Sequence, residues 1–450
     1  MASTYLQNPS SGSSVSAERK TLTFSAWIKR SGLGSTQYLL TGINSSYYTT
    51  IYFTSSDNLS VYSYEGGTTR CNVTTTAVYR DTNAWYHIVV AIDTTQATAN
   101  DRVKFYVNGV QETSITYSTN FPQNYNTYYG MTSGTDGYPT YLSSDSSSNF
   151  FNGLMADVYL VGGTAYTAST FGQTDAASGI WKPITSPSIS WGTGVGGNVN
   201  LKFANSGSLG TDSSGSSNNW TVNGTGTQTL DTPSNVFATF NPLVKSSSAT
   251  GATFSNGNTN VISSSGWLTA PATLGVSSGK WYWEVKCGTI SGSNYIQAGV
   301  SSENAVFTNA GSYHESTAYC YAYHWDGQKY VNNVASSFGT APSTGDIIMI
   351  ALDCDNGFIY AGLNGTWQNS GDPTSGGSGT GALTTLASNQ LWFPTVSAYS
   401  NTHNGNFGNG YFGTTAVASG NADGAGYGIF EYAPPTGYYA LCTKNINTYG

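Results

Sequence analysis

The chain has 450 residues, of which only 8% are Asp, Glu, Lys or Arg, against about 25% in an average soluble protein. At roughly 150 residues per domain this predicts two or three domains, and the scarcity of charge excludes an architecture built on charged helix faces. A net charge of −8 without any Lys/Arg patch excludes nucleic-acid binding through phosphates, and so dilute an acidity reads as solubility.

With 54 Gly and abundant Thr, Val and Tyr, the composition is that of an all-β protein with many turns. The first residues, MASTYLQNPSSGSSVSAERK, have no basic start and no apolar stretch, so a secretory leader is not expected. No apolar run approaches the length of a membrane helix. Cys71, Cys287, Cys320, Cys354 and Cys442 are scattered without a C-x-x-C pair, which predicts neither a disulfide framework nor a zinc site. The Tyr-, Thr- and Asn-rich surface chemistry suits an extracellular setting, whereas the N-terminus suits a protein made and kept in the cytoplasm. A virion component, assembled inside its host and working outside after lysis, satisfies both.

The first region spans residues 1–187. TFSAWIKRS puts Phe24, Ala26 and Ile28 on one face, WYHIVVAID does the same with Ile88, Val90 and Ile92, and DRVKFYVNG with Val103, Phe105 and Val107. This period of two is the signal of half-buried strands. FNGLMADVYLVGG reads as a closing strand, and polar stretches such as residues 111–149 read as surface loops. Residues 188–248 are Gly/Ser/Asn-rich, but Phe203, Trp220, Phe237 and Phe240 are too many for a plain flexible linker. An ordered connector is expected, with short strands in NVNLKF and NWTVNG, docking between domains.

Residues 249–450 repeat the strand grammar. GKWYWEVKCG places Trp281, Trp283 and Val285 on one face. GDIIMIALD is apolar on both faces and reads as a central strand; LWFPTVSAY and GYYALCTKNI continue the pattern. ALDCDNGFIYAGLNG, residues 351–365, admits a calcium-loop reading, which fails. Counted from Asp353, the positions that should be an oxygen ligand, Gly and Glu are Gly357, Phe358 and Asn364. Asn356-Gly357 and Asn364-Gly365 are instead hairpin turns, since these residues tolerate positive φ. In each region a strand ending in Asp is followed by one ending in Asn-Gly.

These residues carry a family resemblance. FSAWIKRS, WYHIVVAIDTT, DRVKFYVNGV and FNGLMADVYLVGG resemble, in that order, a LamG-like domain of the concanavalin A-like jelly-roll fold. GKWYWEVKCG, AGVSS, YHWDGQKY, the 345–367 stretch and LWFPTVSAYSN resemble a SPRY domain. The pairing, the MASTYLQ start and the DTPSNVFATFNPL connector resemble virion proteins of tailed marine bacteriophages, called fibres, spikes or decoration proteins. LamG-like domains often hold calcium through loop carboxylates. Asp93 and Asp157 are the candidates here, without an acidic cluster, and structural roles are expected for both; no cofactor is assigned.

A glycosidase needs two carboxylates flanking one bond, and no such strand of acids occurs. GVSSG at 275–279 spells a nucleophile elbow, and Gly192, Gly194 and Gly197 spell a dinucleotide loop, but a strand follows each where a helix is required. His87 reads as a packed or edge residue. His314 and His324, with Glu315, flank Cys320 as conceivable metal ligands, and roles in a Tyr-rich sheet are favoured. The Asn-x-Ser/Thr sequences at Asn44, Asn58, Asn72, Asn219, Asn223 and Asn364 are read as a by-product of composition.

Aromatic loops supply the functional signal. Residues 124–142 and YHWDGQKY place Tyr and Trp beside Asn, Asp and Gly, a composition suited to stacking a sugar ring and bonding its hydroxyls. Trp325, Asp326, Trp367, Tyr128 and Tyr138 are the candidate ligand-binding residues; packing at a subunit interface is the competing role for each. The expectation is two jelly-roll sandwiches joined by an ordered connector, in a non-enzymatic virion appendage or decoration protein. Its partners would be other virion proteins and its own copies, a trimer being one such arrangement, with host surface glycan but no nucleic acid and no membrane insertion. A receptor-binding lectin at a tail-fibre tip is the alternative, and a glycan depolymerase the third reading.

Overall fold

The structure is a computed structural model that describes residues 4–9, 16–130, 138–176, 178–193, 198–245, 252–264, 266–290, 295–308 and 319–450. The chain divides into two compact units, Met1–Gln228 and Thr229–Gly450. Both are all-β, and among the described residues no helix is long and apolar enough to cross a membrane.

The first unit is a sandwich of two antiparallel sheets. One sheet has eight strands in the order Ile115–Thr119, Thr68–Val78, Asn58–Glu65, Tyr47–Phe53, Gln37–Asn44, Thr140–Leu142, Tyr5–Gln7 and Thr221–Asn223. The other has six: Asn198–Leu201, Gly153–Gly162, Thr21–Arg30, Trp85–Asp93, Val103–Val107 and Val110–Gln111. Alternation fills the space between them. Leu22, Phe24, Ala26 and Ile28 from one sheet meet Ile51, Phe53, Leu59, Val61 and Val73 from the other, all buried. Each such side chain contributes about 1.5–3 kcal/mol by leaving water.

Several expectations change here. Residues 111–149 are not one surface loop. They contain the strands Ile115–Thr119 and Thr140–Leu142, and Phe121 and Tyr129 lie in the core. Their polar composition hid a period of two carried by Thr and Tyr. The 153–162 strand does not close its sheet, because Asn198–Leu201 pairs beyond it. The six-stranded sheet is also not half-exposed. Tyr166, Phe171, Trp181, Ile189 and Trp191 cover its outer face over Val89, Ala91, Tyr106 and Tyr159. The stretch set apart as a connector contains the 228/229 division. Its strands Asn198–Leu201 and Thr221–Asn223 extend the two sheets of the first unit, whereas Phe237 and Phe240 belong to the cores of the second.

His87 explains how the outer cover is fastened. Its ring stacks on Trp27 at 4.7 Å and lies 6.0 Å from the Trp181 ring. Trp181 Nε1 donates to His87 Nδ1 at 3.0 Å. The His87 proton must therefore sit on Nε2, 2.9 Å from Ser25 Oγ. Burial pushes the imidazole pKa down to about 3, so the ring is neutral and packed.

The second unit is also a sandwich. Its nine-stranded sheet runs Thr253–Ser255, Asn260–Ile262, Thr402–Asn406, Lys280–Cys287, Ile347–Asp353, Phe358–Leu363 and Thr366–Trp367; Thr384–Thr385 and Tyr439–Ala440 pair to the side. Its six-stranded sheet runs Trp267–Pro271, Trp392–Tyr399, Tyr295–Ser302, Cys320–His324, Gln328–Val331 and Val334–Ser337. Trp281, Trp283 and Val285 face the core together, and Ile347–Asp353 is buried along its whole length near the centre of its sheet. Apolar character on both faces of that strand has a cause. Phe430, Tyr438, Ala440 and Cys442, with Phe237, pack over Tyr282, Met349 and Ala351 on the outer side. GYYALCTKNI is not a strand throughout: two residues pair, and Thr443–Tyr449 is a helix.

Two Asn-Gly turns, one in each unit, obey the same rule. Asn108 and Gly109 have φ of 48° and 87°, Asn364 and Gly365 of 48° and 85°, and each pair forms a two-residue hairpin loop. In each, the Asn backbone and side chain bond the preceding strand. Asn108 N donates to His87 O and Asn108 Oδ1 accepts from His87 N; Asn364 makes the same two bonds to Ile347. The Asn356-Gly357 turn differs from its expected form. It joins Asp353 to Phe358 through four residues, only Gly357 has positive φ, and Asp353 Oδ1 accepts from Asn356 N.

Candidate functional site

In the first unit the residues alternating with the core line the outer face of the eight-stranded sheet. Tyr52 stands between Ile51 and Phe53, and Tyr62 follows Val61, so inward aliphatics oblige these rings to face out. Register carries one row across seven strands: Asn72, Tyr62, Thr50, Thr41, Tyr141, Gln7 and Thr221 lie side by side. Tyr48 and Tyr64 flank it on one side, Tyr52 and Tyr38 on the other. Adjacent rings sit 5.6–5.8 Å apart, as Tyr38–Tyr52, Tyr48–Tyr62, Tyr48–Tyr64 and Tyr5–Tyr141.

Thr41 and Thr50 are fully buried beneath this layer and bond each other at 2.9 Å. Solvent therefore meets ring faces and phenolic hydroxyls. Burial pushes the Tyr38 and Tyr48 phenols up to about 12 and raises Tyr52, so these hydroxyls stay protonated at neutral pH. The row contains no Asp, Glu, Lys or Arg. The Glu65–Arg70 ion pair, at 2.7 Å, stands at the strand ends. Such a surface stacks apolar ring faces and exchanges hydrogen bonds through neutral hydroxyls, with the Asp145 carboxylate beside Tyr38 and Tyr141.

Two of the candidate residues lie elsewhere on this unit. Tyr128 is 5.2 Å from Tyr138, and both contact Tyr47 edge-on. Tyr128 itself is buried, so Tyr47 and Tyr138 are the accessible part of the cluster. The rest of the 124–142 aromatic stretch includes residues 131–137, which lie outside the described residues.

The second unit holds another aromatic group. Trp325 stacks on Tyr295 at 4.9 Å, Tyr295 on Trp267 at 5.6 Å, and Tyr399 lies 5.6–5.7 Å from Trp267 and Tyr295. All four are half-buried at one end of the six-stranded sheet. One row further in, the fully buried Gln297 amide has no hydrogen-bond partner. Asp326 does not point freely outward: Oδ1 lies 2.8 Å from His324 Nδ1 and accepts from Gln328 N. Trp367 is separate, packed under the C-terminal segment against Tyr282. Tyr295, Trp267 and Tyr399 were missed because they lie far apart in sequence and only strand register unites them.

Among the described residues no three His, Cys, Asp or Glu groups converge as metal ligands. Asp93 accepts from Thr21, Thr95 and Gln96, and Asp157 occupies the bulge between Ala156 and Tyr159. His314, Glu315, Gly194 and Gly197 lie outside the described residues.

Comparison with known proteins agrees with this architecture. Residues 2–169 match the family model described as the concanavalin A-like lectin/glucanases superfamily, and residues 280–410 match the SPRY domain. No curated protein matched. Among solved structures, the SPRY domain of human HERC1 is 19% identical, with 37% of this chain and 96% of that one covered and a TM-score of 0.29. The stonustoxin structure is also 19% identical, covering 38% of this chain and 27% of that one, with a TM-score of 0.26. The chain thus carries a concanavalin A-like domain in its first half and a SPRY domain in its second.

Proposed function

We propose that this protein is a non-catalytic binding component of a bacteriophage virion appendage, and that its first domain holds uncharged host-surface glycan on the tyrosine face. The observation that carries the glycan reading is the cross-strand tyrosine layer. Burial raises the Tyr38, Tyr48 and Tyr52 phenols, its row is free of charged side chains, and its hydroxyls are donors and acceptors at once. An acid–base enzyme would need paired carboxylates there. The virion setting is supported by the order of domains and by the resemblance of the MASTYLQ start and the DTPSNVFATFNPL connector. Several copies in one appendage, a trimer for instance, would turn weak single-site binding into avidity.

A receptor-binding lectin at a fibre tip is the second reading. The Trp267–Tyr295–Trp325–Tyr399 group favours it by offering a second aromatic surface. The test is retention on immobilised neutral and acidic polysaccharides, with Tyr62→Ala and Tyr52→Ala variants. Retention on neutral glycans that resists salt, and falls roughly tenfold or about 1.4 kcal/mol in the variants, is expected. Equal retention by wild type and variants overturns the assignment of the face. Gold-labelled antibody on purified particles tests the setting: label on fibres or spikes is expected, and unlabelled particles refute it.

A further inference from the structure

The last helix ends in an unusual ring contact. Tyr449 and Tyr439 lie 3.7 Å apart between centroids, with planes inclined by only 5°. Aromatic pairs prefer offset or edge-on arrangements with centroids roughly 4.5–7 Å apart. The other tyrosine pairs among the described residues conform, the nearest being Tyr128–Tyr138 at 5.2 Å.

The helix is firmly seated, so the contact is a consequence of the fold. Thr443 N donates to Val236 O, Val236 N to Thr443 Oγ1, and Lys444 N to Asn235 Oδ1. Asn445 is fully buried and donates from Nδ2 to Asp423 Oδ2 at 2.8 Å and to Ala440 O at 3.0 Å. At the other end, Gly279 leaves room for the Tyr449 carbonyl, which a Cβ there would meet at 2.3 Å. Tyr439 is held by parallel pairing of Tyr439–Ala440 with Trp281–Tyr282. One ring is thus fixed on a strand. The other stands on the last turn of the helix, 38% exposed.

We propose that Tyr439 and Tyr449 form an oxidative cross-linking site that ties the helix Thr443–Tyr449 covalently to the strand Tyr439–Ala440 as dityrosine. Hydrogen peroxide acting through a haem peroxidase is the oxidant class. Each phenol gives up one electron and its hydroxyl proton, leaving a tyrosyl radical with spin density on the ring carbons beside the oxygen. The two radicals combine through these carbons to form one C–C bond. Each bonded carbon then loses its hydrogen as a proton and each oxygen regains one. In sum, two C–H bonds break, one C–C bond forms, and one peroxide is reduced to two waters. Contact between the rings favours their own coupling over coupling to another molecule. All five cysteines are free, so no disulfide staples this chain.

The full-length protein, treated with limiting peroxide and peroxidase, tests the site. Dityrosine fluorescence is expected, together with a linked peptide pair containing Tyr439 and Tyr449, lighter by two hydrogens. Tyr449→Phe and Tyr439→Phe each keep the ring and should each abolish this product while leaving the unfolding transition in place. Fluorescence that persists in both variants, linked peptides joining separate chains, or no linked pair in the wild type would each overturn the proposal.

Discussion

The sharpest test of the packing is the histidine that fastens the outer cover of the first domain. His87 is fully buried, stacked on Trp27, and accepts from Trp181 through Nδ1. A second proton would set Nδ1–H against the Trp181 N–H. Burial depresses the folded pKa from 6.5 to about 3. For a group depressed on folding, the stability it permits is complete above the unfolded pKa and is lost as pH falls. Each unit corresponds to 1.36 kcal/mol, so lowering the pH from about 6.5 to 4.5 should remove about 2 kcal/mol. His87→Gln removes the titration. Urea unfolding of wild type and variant at intervals across that window, with hydrogen exchange of Trp85–Asp93 to locate the effect, measures the difference in slope. The variant will start less stable, because it loses ring stacking, but its stability should depend less on pH. Parallel curves for the two proteins would refute the reasoning.

In the second domain burial raises Glu284 to about 7, against donors from Tyr432 N, Glu431 N, Tyr282 Oη and Asn406 Nδ2. A raised carboxyl favours folding most below about 4.5 and loses that advantage as pH rises through about 7. Relative to Glu284→Gln, wild type should therefore lose about 3 kcal/mol over this range, read from the same titration. Arg30→Met should cost about 3–5 kcal/mol in denaturant unfolding, since Arg30 is buried over Phe53 and bonds Asp57 at 2.9 Å. Gly109→Ala should destabilise more than Gly357→Ala in the same assay. Both have positive φ, worth about 1–2 kcal/mol, but only at Gly109 would the new Cβ meet a ring, Trp181 at 2.7 Å.

Much of the fold was legible where apolar residues alternate cleanly. Phe24, Ala26 and Ile28, then Trp281, Trp283 and Val285, announced their strands and the face each buries. The Asn108-Gly109 and Asn364-Gly365 turns were legible because few residues accept positive φ. The 111–149 region misled because all but Ile115 and Leu142 of the residues in its strands Ile115–Thr119 and Thr140–Leu142 are Thr, Ser and Tyr, whose hydroxyls suit a loop equally well. Of the candidate site residues, Trp325 sits in an aromatic group on the second domain and Tyr138 in one on the first, while Tyr128 and Trp367 are packed and Asp326 is engaged by His324.

By itself the sequence determined which residues turn inward along each strand, because a period of two and a scarcity of charge leave few other ways to bury apolar surface. It also determined where the tightest hairpins bend. Tertiary structure alone decided what lies beside what. Tyr62 and Tyr141 share a row because two strands intervene in a set order and register, and a one-residue slip would turn either ring into the core. The covering of the first unit's six-stranded sheet by Tyr166, Phe171, Trp181, Ile189 and Trp191, and of the second unit's nine-stranded sheet by the C-terminal segment, was likewise decided in three dimensions. A strand with two apolar faces states that it is covered, but not by which part of the chain.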